Sequence, residues 1–137
     1  MPTPSEEFFN EYAKAYESYD PNAVAANYFL PAVIMSDDTK NVYTSHEAIT
    51  NVIDELMDKL QGVGVTFFDA EVCQSMRLSE SILFSNVKWT FKDVDEQTLF
   101  SCFVSYTLQV EDGALKIVVS VIDDEERELE KLLFPMS

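Results

Sequence analysis

The sequence predicts an α+β fold, in which helices come first and a sheet follows. In the second half of the chain, four strand-like runs follow one another with only short turns between them. In the first half, apolar residues recur at spacings of three and four, which is typical of amphipathic helices. Helical segments followed by consecutive strands favour an α+β arrangement.

The clearest predicted strand lies between Thr98 and Glu111. Apolar and polar residues alternate along it almost without a break, and Leu99 and Phe103 are the apolar exceptions. A period of two over this length is typical of a half-buried antiparallel strand. The predicted buried face carries Phe100, Cys102, Val104, Tyr106, Leu108 and Val110.

Two helices are predicted at the start of the chain. The segment Thr3-Pro4-Ser5-Glu6 has the pattern of a capping box, with Pro at the first helical position. Asp20-Pro21 is expected to end the first helix and to cap a second, short one that continues to Phe29 and stops at Pro31. The apolar flank of the first helix consists of Phe8, Phe9, Tyr12, Ala13, Tyr16 and Tyr19.

A small hairpin and a long helix are predicted next. Residues 32–35 form a short strand, turn residues follow at 37–40, and residues 41–43 return as the hairpin partner. The segment Thr44-Ser45-His46-Glu47 predicts a second capping box, with Thr44 as the cap. Beyond it, an apolar stripe from Ile49 to Leu60 predicts a helix that ends at Gly62.

Four long strands are expected after that helix, at residues 65–78, 82–92, 99–111 and 114–122. The charged segment from Asp123 to Leu133 is expected to end in a short helix. The length and the absence of a linker or repeat favour a single domain over residues 1–137. On the first of these strands, a shared face is expected for Phe68, Ala70, Val72, Met76 and Leu78.

The charge of the chain limits its partners. Nine Lys and Arg stand against 25 Asp and Glu, which gives a net charge of −16, spread over both halves of the chain. Such a surface repels nucleic-acid phosphates and anionic lipids, so neither a nucleic acid nor a membrane is an expected partner. The chain shows neither a secretory signal nor a long apolar run, so a cytoplasmic location is expected.

The cysteines and the histidine predict no metal site or cofactor. Cys73 and Cys102 are expected to be reduced and packed, although their spacing leaves a disulfide open. These two residues and the sole histidine, His46, form no recognisable zinc set. The acidic residues do not follow the pattern of a calcium-binding loop.

The order of these elements resembles the nuclear-transport-factor-2-like superfamily. Its members include SnoaL-like polyketide cyclases, ketosteroid isomerase and scytalone dehydratase. The resemblance covers about residues 5–125, and three segments carry it: residues 12–29, residues 83–89, and Phe103 to Leu108 with the following turn and Leu115-Lys116-Ile117. It implies a cone-shaped, cystatin-like fold, in which a strongly curved antiparallel sheet wraps the long helix and leaves a pocket at its open end.

The resemblance also implies which residues line that pocket. In the family, the first helix, the small hairpin and the concave face of the sheet form its walls. An apolar, aromatic cavity with a few hydroxyls suits a small hydrophobic ligand. The alternative is that the aromatic side chains fill the cone as core. The implied lining is Tyr12, Tyr16, Tyr28, Met35, Trp89, Phe91, Cys102, Val104 and Tyr106.

A second hypothesis is acid–base catalysis. Ketosteroid isomerase uses a general-base Asp after the short strand, opposite a Tyr and a protonated Asp. The resemblance places that base nearest Ser36 or Asp37, and the tyrosine nearest Tyr12 or Tyr16. The strand from Leu99 to Val110 holds no acid, so the protonated Asp of that oxyanion hole has no counterpart.

His46 completes the implied catalytic set of Asp37, His46 and Tyr16. SnoaL-like and dehydratase members of the family pair a histidine with an aspartate for acid–base chemistry. The simpler interpretation of Asp37-Asp38 is a solvated hairpin turn. The simpler interpretation of His46 is a surface residue near a helix cap, where the helix N-terminus disfavours its protonated form.

A third hypothesis is a homodimer formed through the outer face of the sheet. In the predicted strand at residues 82–92, both faces carry apolar side chains, so neither face is clearly solvated. Leu83, Val87, Trp89 and Phe91 share one face, and Ile82 and Phe84 lie on the other.

Overall fold

The computed structural model of the protein describes residues 3–123. The short helix expected within residues 123–133 lies outside the described residues. The described elements are α1 (Pro4–Glu17), α2 (Pro21–Ala25), β1 (Tyr28–Met35), β2 (Lys40–Tyr43), α3 (His46–Gly62), β3 (Phe67–Arg77), β4 (Ile82–Lys92), β5 (Thr98–Glu111) and β6 (Ala114–Asp123).

The strands form one six-stranded sheet in the order β2-β1-β6-β5-β4-β3. From β3 to β6 the strands form an antiparallel meander, as the sequence predicts. The sheet as a whole is mixed, because β1 lies parallel to β6. The predicted α+β cone, with helices packed on a curved sheet, is confirmed.

The start of α1 confirms the first predicted capping box. The Thr3 hydroxyl accepts a hydrogen bond of 3.2 Å from the Glu6 backbone N–H, and the Thr3 N–H donates one of 2.9 Å to the Glu6 carboxylate. The helix packs against β3 and buries Phe9, Tyr12 and Tyr16.

The second helix is shorter than predicted. It ends at Ala25, and residues 28–31 belong to β1 rather than to a helix that reaches Phe29. The reason is pairing with β6: the Ile117 N–H donates to the Asn27 carbonyl at 2.8 Å, next to Tyr28. Pro31 has no backbone N–H to donate to a neighbouring strand. It is tolerated here because it lies where the β1–β6 register shifts and regular pairing is interrupted.

The N-terminus of α3 lies one residue later than predicted. Ser45, not Thr44, is the N-cap, because Ser45 has extended backbone angles and its hydroxyl accepts a hydrogen bond of 3.1 Å from the Ala48 N–H. The capping box predicted for this position is therefore wrong, and His46 is the first residue of the helix. The buried side of α3 consists of Ile49, Ile53, Leu56, Met57 and Leu60.

An irregularity in β3 changes which of its residues are buried. The register with β4 shifts between Val72 and Gln74, so Cys73 is an extra residue in the strand. After the shift, Ser75 lies opposite the buried Ser85. The predicted common face of this strand is therefore wrong beyond Val72: Met76 and Leu78 are 49% and 55% exposed.

The two cysteines differ in exposure. Neither forms a disulfide; Cys102 is buried in β5, as predicted, whereas Cys73 is exposed. The extra residue in β3 explains the difference, because it removes Cys73 from the regular alternation of the strand. Within residues 3–123, no helix is both long and apolar enough to cross a membrane.

Candidate functional site

Four tyrosines gather between α1 and the inner face of the sheet, which is the face that carries Trp89. Tyr12, which is 1% exposed, lies at the centre of this group. Its ring centroid lies 5.2 Å from that of Tyr16, 6.2 Å from that of Tyr28 and 6.3 Å from that of Tyr106. Tyr12 and Tyr16 meet because residues four apart share one face of a helix. We call Tyr12, Tyr16, Tyr28 and Tyr106 the interior tyrosines.

One hydrogen bond joins two of the interior tyrosines, and a second joins another of them to Trp89. The hydroxyl groups of Tyr12 and Tyr28 lie 2.6 Å apart. The indole N–H of Trp89 donates a hydrogen bond of 2.8 Å to the hydroxyl of Tyr106. Aromatic side chains with a polar end need such partners when they are buried. The interior is thus apolar in bulk, with a small hydrogen-bonded group of hydroxyls inside it.

Burial raises the pKa of all four interior tyrosines. Desolvation of the phenolate is the largest cause at each of them. For Tyr12 and Tyr106, the neighbouring tyrosines raise the pKa further. These hydroxyls therefore stay protonated at physiological pH, where they act as neutral hydrogen-bond donors and acceptors.

Two small cavities adjoin the interior tyrosines, and we call them the first and the second lobe. Their volumes are about 40 Å³ and about 50 Å³. Both are bordered by Tyr16, Leu56, Val104 and Tyr106. The first lobe is also lined by Leu60, Phe68, Trp89 and Phe91, and the second by Ile34, Val52, Ile53, Ser120 and Ile122.

The size of the lobes limits what they can hold. Pockets for drug-sized ligands measure roughly 300–1,000 Å³, and an engineered cavity of about 150 Å³ holds benzene. Side chains thus fill most of the cone, and the remaining space suits a molecule with few non-hydrogen atoms.

The sequence-based lining set overlaps with the lobes only in part. Tyr12, Tyr28 and Cys102 are buried but line neither lobe. Met35 lies apart from the lobes: it is half-buried and pairs with the exposed Val121, because strand alternation directs its neighbour Ile34 inward. The residues of the set that line a lobe are Tyr16, Trp89, Phe91, Val104 and Tyr106.

Half of the lobe-lining residues that sequence reasoning missed come from α3. Val52, Ile53, Leu56 and Leu60 belong to the apolar stripe of that helix, which was interpreted as core only. Their spacing showed that they are buried but not that a cavity separates them from the sheet.

Ser120 is a further residue that the sequence did not single out. It lies on β6, is 4% exposed and lines the second lobe. Its hydroxyl is near enough to Tyr28 to lower the pKa of that phenol, against the larger effect of burial. Even so, among residues 3–123 its Oγ has no hydrogen-bond partner at normal length and angle.

The structure does not bring the implied catalytic residues together around a lobe. Tyr16 is buried and lines both lobes, whereas Asp37 and His46 are exposed and line neither. Asp37 lies in the turn between β1 and β2, which is closed by a hydrogen bond of 2.9 Å from the Ser36 N–H to the Thr39 carbonyl. Within the described residues, no Asp, Glu or His borders a lobe.

A larger, polar groove lies between α1 and β3. Its volume is about 320 Å³, and it is lined by Glu6, Asn10, Asp69, Glu71 and neighbouring residues. Glu6 is already engaged in the cap of α1. Between residues 3 and 123, no group of three or more His, Cys, Asp or Glu side chains is arranged to hold a metal ion.

Comparison with known proteins relates the chain to one family. A family model described as "NTF2-like protein (DUF6841)" matches residues 4–125. No curated protein matches the chain. Among solved structures, an NTF-2-like protein of unknown function from Shewanella oneidensis MR-1 has a TM-score of 0.72 at 11% identity, over 88% of this chain and 97% of that chain.

Two further solved structures share the fold. Aln2 from a Streptomyces species has a TM-score of 0.70 at 17% identity, over 95% of this chain and 98% of that chain. A putative calcium/calmodulin dependent protein kinase II association domain from Xanthomonas campestris has a TM-score of 0.63 at 15% identity, over 85% and 82%. At such identities the likeness concerns the fold alone.

Proposed function

The chain belongs to the NTF2-like protein family DUF6841, and we propose that it binds a small, neutral, largely apolar molecule in the two lobes without transforming it. The observation that carries this proposal is the composition of the lobes. Their walls are aliphatic and aromatic, and the lining residues that carry a polar side-chain atom are Tyr16, Tyr106, Ser120 and Trp89. A few placed polar groups in an apolar cavity are typical of small-molecule sites.

We expect a neutral ligand because the described residues that line the lobes carry no charge that could balance an ion. A buried ion needs an opposite charge or several strong hydrogen bonds. The tyrosines that border the lobes remain uncharged at physiological pH, since burial raises their pKa values.

Within residues 3–123 no base borders a lobe, and this supports binding without catalysis. An isomerase, cyclase or dehydratase needs a proton acceptor within hydrogen-bond reach of the substrate. Asp37 and His46 are exposed, and within the described residues the lobes are bordered by no other carboxylate or imidazole. Burial raises the pKa of Tyr16, so its phenol stays protonated at physiological pH and offers no phenolate to accept a proton.

A thermal-shift screen of small neutral compounds tests the proposal. We expect compounds that raise the melting temperature of the wild type and lose this effect in Leu56→Phe, because Leu56 borders both lobes. Leu99→Phe is the matched control, since Leu99 is 41% exposed. Val104→Ile is a milder way to fill the same space if Leu56→Phe is overpacked. The absence of any stabilising compound for the well-folded wild type would contradict the proposal.

We also propose that two copies of the chain associate through the outer face of the sheet. A row of mostly apolar side chains crosses all six strands on that face, as the pairing register shows. Met76 at one end is 49% exposed and Val42 at the other is 55% exposed. From edge to edge the row consists of Val42, Val33, Val119, Thr107, Phe84 and Met76.

The charges of this face suit a second copy. Lys40, Lys88 and Lys116 pair with outward-facing neighbours in the sheet, and Lys88 lies opposite Glu71. This face therefore carries charges of both signs, because Glu71 and Asp123 lie in the same outward row as Lys88, whereas the chain as a whole carries −16. Two identical faces can meet here with less repulsion than elsewhere on the surface, in the self-complementary way of a two-fold dimer.

Sedimentation equilibrium of the full chain tests the dimer. We expect the wild type to have twice the monomer mass of 15.6 kDa and Phe84→Asp to be monomeric. Val94→Asp is the control, because Val94 is 72% exposed in a turn outside the row. A wild type that stays monomeric at high micromolar concentration excludes this association.

A further inference from the structure

Ser120 differs from the other buried serines of the described chain. Ser5 and Ser85 lie 3.2 Å apart in hydrogen-bond contact, and Ser36 contacts the Thr39 hydroxyl at 2.9 Å. Ser120 is equally buried, at 4% exposure, but its hydroxyl has no such partner among residues 3–123. Buried hydroxyls without a partner are rare because they lose their bonds to water and gain nothing in return.

The described residues around Ser120 provide no hydrogen-bond partner for its Oγ, so a partner would have to lie inside the second lobe. The Tyr28 hydroxyl is near Ser120 but outside hydrogen-bond length and angle of its Oγ, and it bonds instead to Tyr12 at 2.6 Å. The other walls of the second lobe are mainly aliphatic, formed by Ile34, Val52, Ile53, Leu56, Val104 and Ile122, and the rings of Tyr16 and Tyr106 complete the lining.

One other buried hydroxyl of the described residues lacks a partner. This is the Thr50 Oγ1 on α3, and Thr50 borders neither lobe. Ser120 alone therefore combines an unpartnered hydroxyl with an adjoining cavity in the described part of the chain.

We infer that the occupant of the second lobe carries a neutral oxygen that hydrogen-bonds to Ser120 Oγ. This inference rests on the proposed function and narrows its ligand to compact aliphatic alcohols, aldehydes and ketones. An alcohol can donate to or accept from the serine, and a carbonyl oxygen accepts its proton. The aliphatic walls bind the hydrocarbon part of such a molecule, and the volume of about 50 Å³ restricts its length.

A pair of probes of equal length isolates the effect of the oxygen. Ethanol and propane differ by a hydroxyl in place of a methyl group and are small enough for a lobe of about 50 Å³, and each is titrated into the full chain while methyl resonances are followed by NMR. The same titrations are made with Ser120→Ala and with Ser85→Ala. Ser85→Ala is the matched control, because Ser85 is fully buried but borders neither lobe.

We expect the affinity ratio of ethanol to propane to fall roughly 3- to 10-fold in Ser120→Ala, which is the contribution of one hydrogen bond. In Ser85→Ala the ratio stays at the wild-type value. Ser120→Ala should remain folded, since it removes a hydroxyl that has no partner in the described residues.

The outcomes separate this inference from the proposed function. If both probes bind and Ser120→Ala leaves their ratio unchanged, the role of Ser120 is overturned while binding in the lobes stands. An ordered water that satisfies Ser120 would produce that same result. If neither probe binds the wild type, both this inference and binding of such small molecules in the lobes are overturned.

Discussion

The hydroxyl groups of Tyr12 and Tyr28 lie 2.6 Å apart inside the protein and connect α1 to β1. Both side chains are buried, at 1% and 8% exposure, so water cannot replace either partner without rearrangement. The position of the first helix relative to the sheet is thus determined by a polar contact as well as by ring packing.

Removal of both of these hydroxyls should cost less than the sum of the two single removals, because the two groups share one hydrogen bond. We expect Tyr12→Phe to lower the free energy of unfolding by about 1–2 kcal/mol, because Tyr28 then lacks its partner. The double variant Tyr12→Phe/Tyr28→Phe should lose less than the sum of the single variants. Urea denaturation of the four proteins gives the coupling energy, and additive losses would show that the contact contributes nothing.

Alkaline pH should destabilise the protein more steeply than usual. The folded-state pKa values of the interior tyrosines lie above that of an unfolded tyrosine, which is about 10. Their contribution to stability is complete below this pH, and it is lost as the pH rises toward the folded-state values, because the unfolded chain releases protons first.

Urea denaturation between about pH 8 and pH 11 measures this loss. We expect Tyr16→Phe to reduce the slope of stability against pH. Tyr43→Phe should reduce it less, because Tyr43 is only half-buried. Equal slopes in the wild type and Tyr16→Phe would contradict the raised pKa of Tyr16.

Asp37 and His46 should be dispensable for stability and for ligand binding. Both side chains are exposed, and neither borders a lobe. We expect Asp37→Asn and His46→Gln each to change the free energy of unfolding by less than about 0.5 kcal/mol. Thermal shifts by compounds that stabilise the wild type should be unchanged in both variants. Loss of those shifts in either variant would support the acid–base alternative instead.

The cap of α3 can be assigned by a matched pair of substitutions. We expect Ser45→Ala to lower the free energy of unfolding by about 1 kcal/mol, because the Ser45 hydroxyl accepts the hydrogen bond of the Ala48 N–H. Thr44→Ala should have an effect below about 0.5 kcal/mol. Chemical denaturation of both variants tests this order, and the reverse order would restore Thr44 as the cap.

Hydrophobic periodicity was sufficient to predict most of the fold. The alternation along residues 98–111 and the apolar stripe of α3 depend only on residues close together in the chain, so both can be recognised from the sequence. The features that escaped depend on distant partners. Pairing with Ile117 brings Tyr28 into a strand, and the shift of register against β4 exposes Met76.

The candidate site could be predicted less well, for a related physical reason. The sequence indicates that Trp89, Val104 and Tyr106 face inward, but it does not indicate how completely their neighbours fill the space. The partnerless hydroxyl of Ser120 is a property of packing in three dimensions. A serine within an apolar strand looks the same in the sequence whether or not it has a partner.

The fluorescence of Trp89 can report on the state of the first lobe. It is the sole tryptophan of the chain, it is 3% exposed, and it borders the lobe while its indole N–H is held by Tyr106. All tryptophan fluorescence of this protein therefore comes from a side chain in the wall of the first lobe. Filling of the lobe and exposure of the core would alter the same emission spectrum in different ways, so occupancy and unfolding can be followed in unlabelled protein.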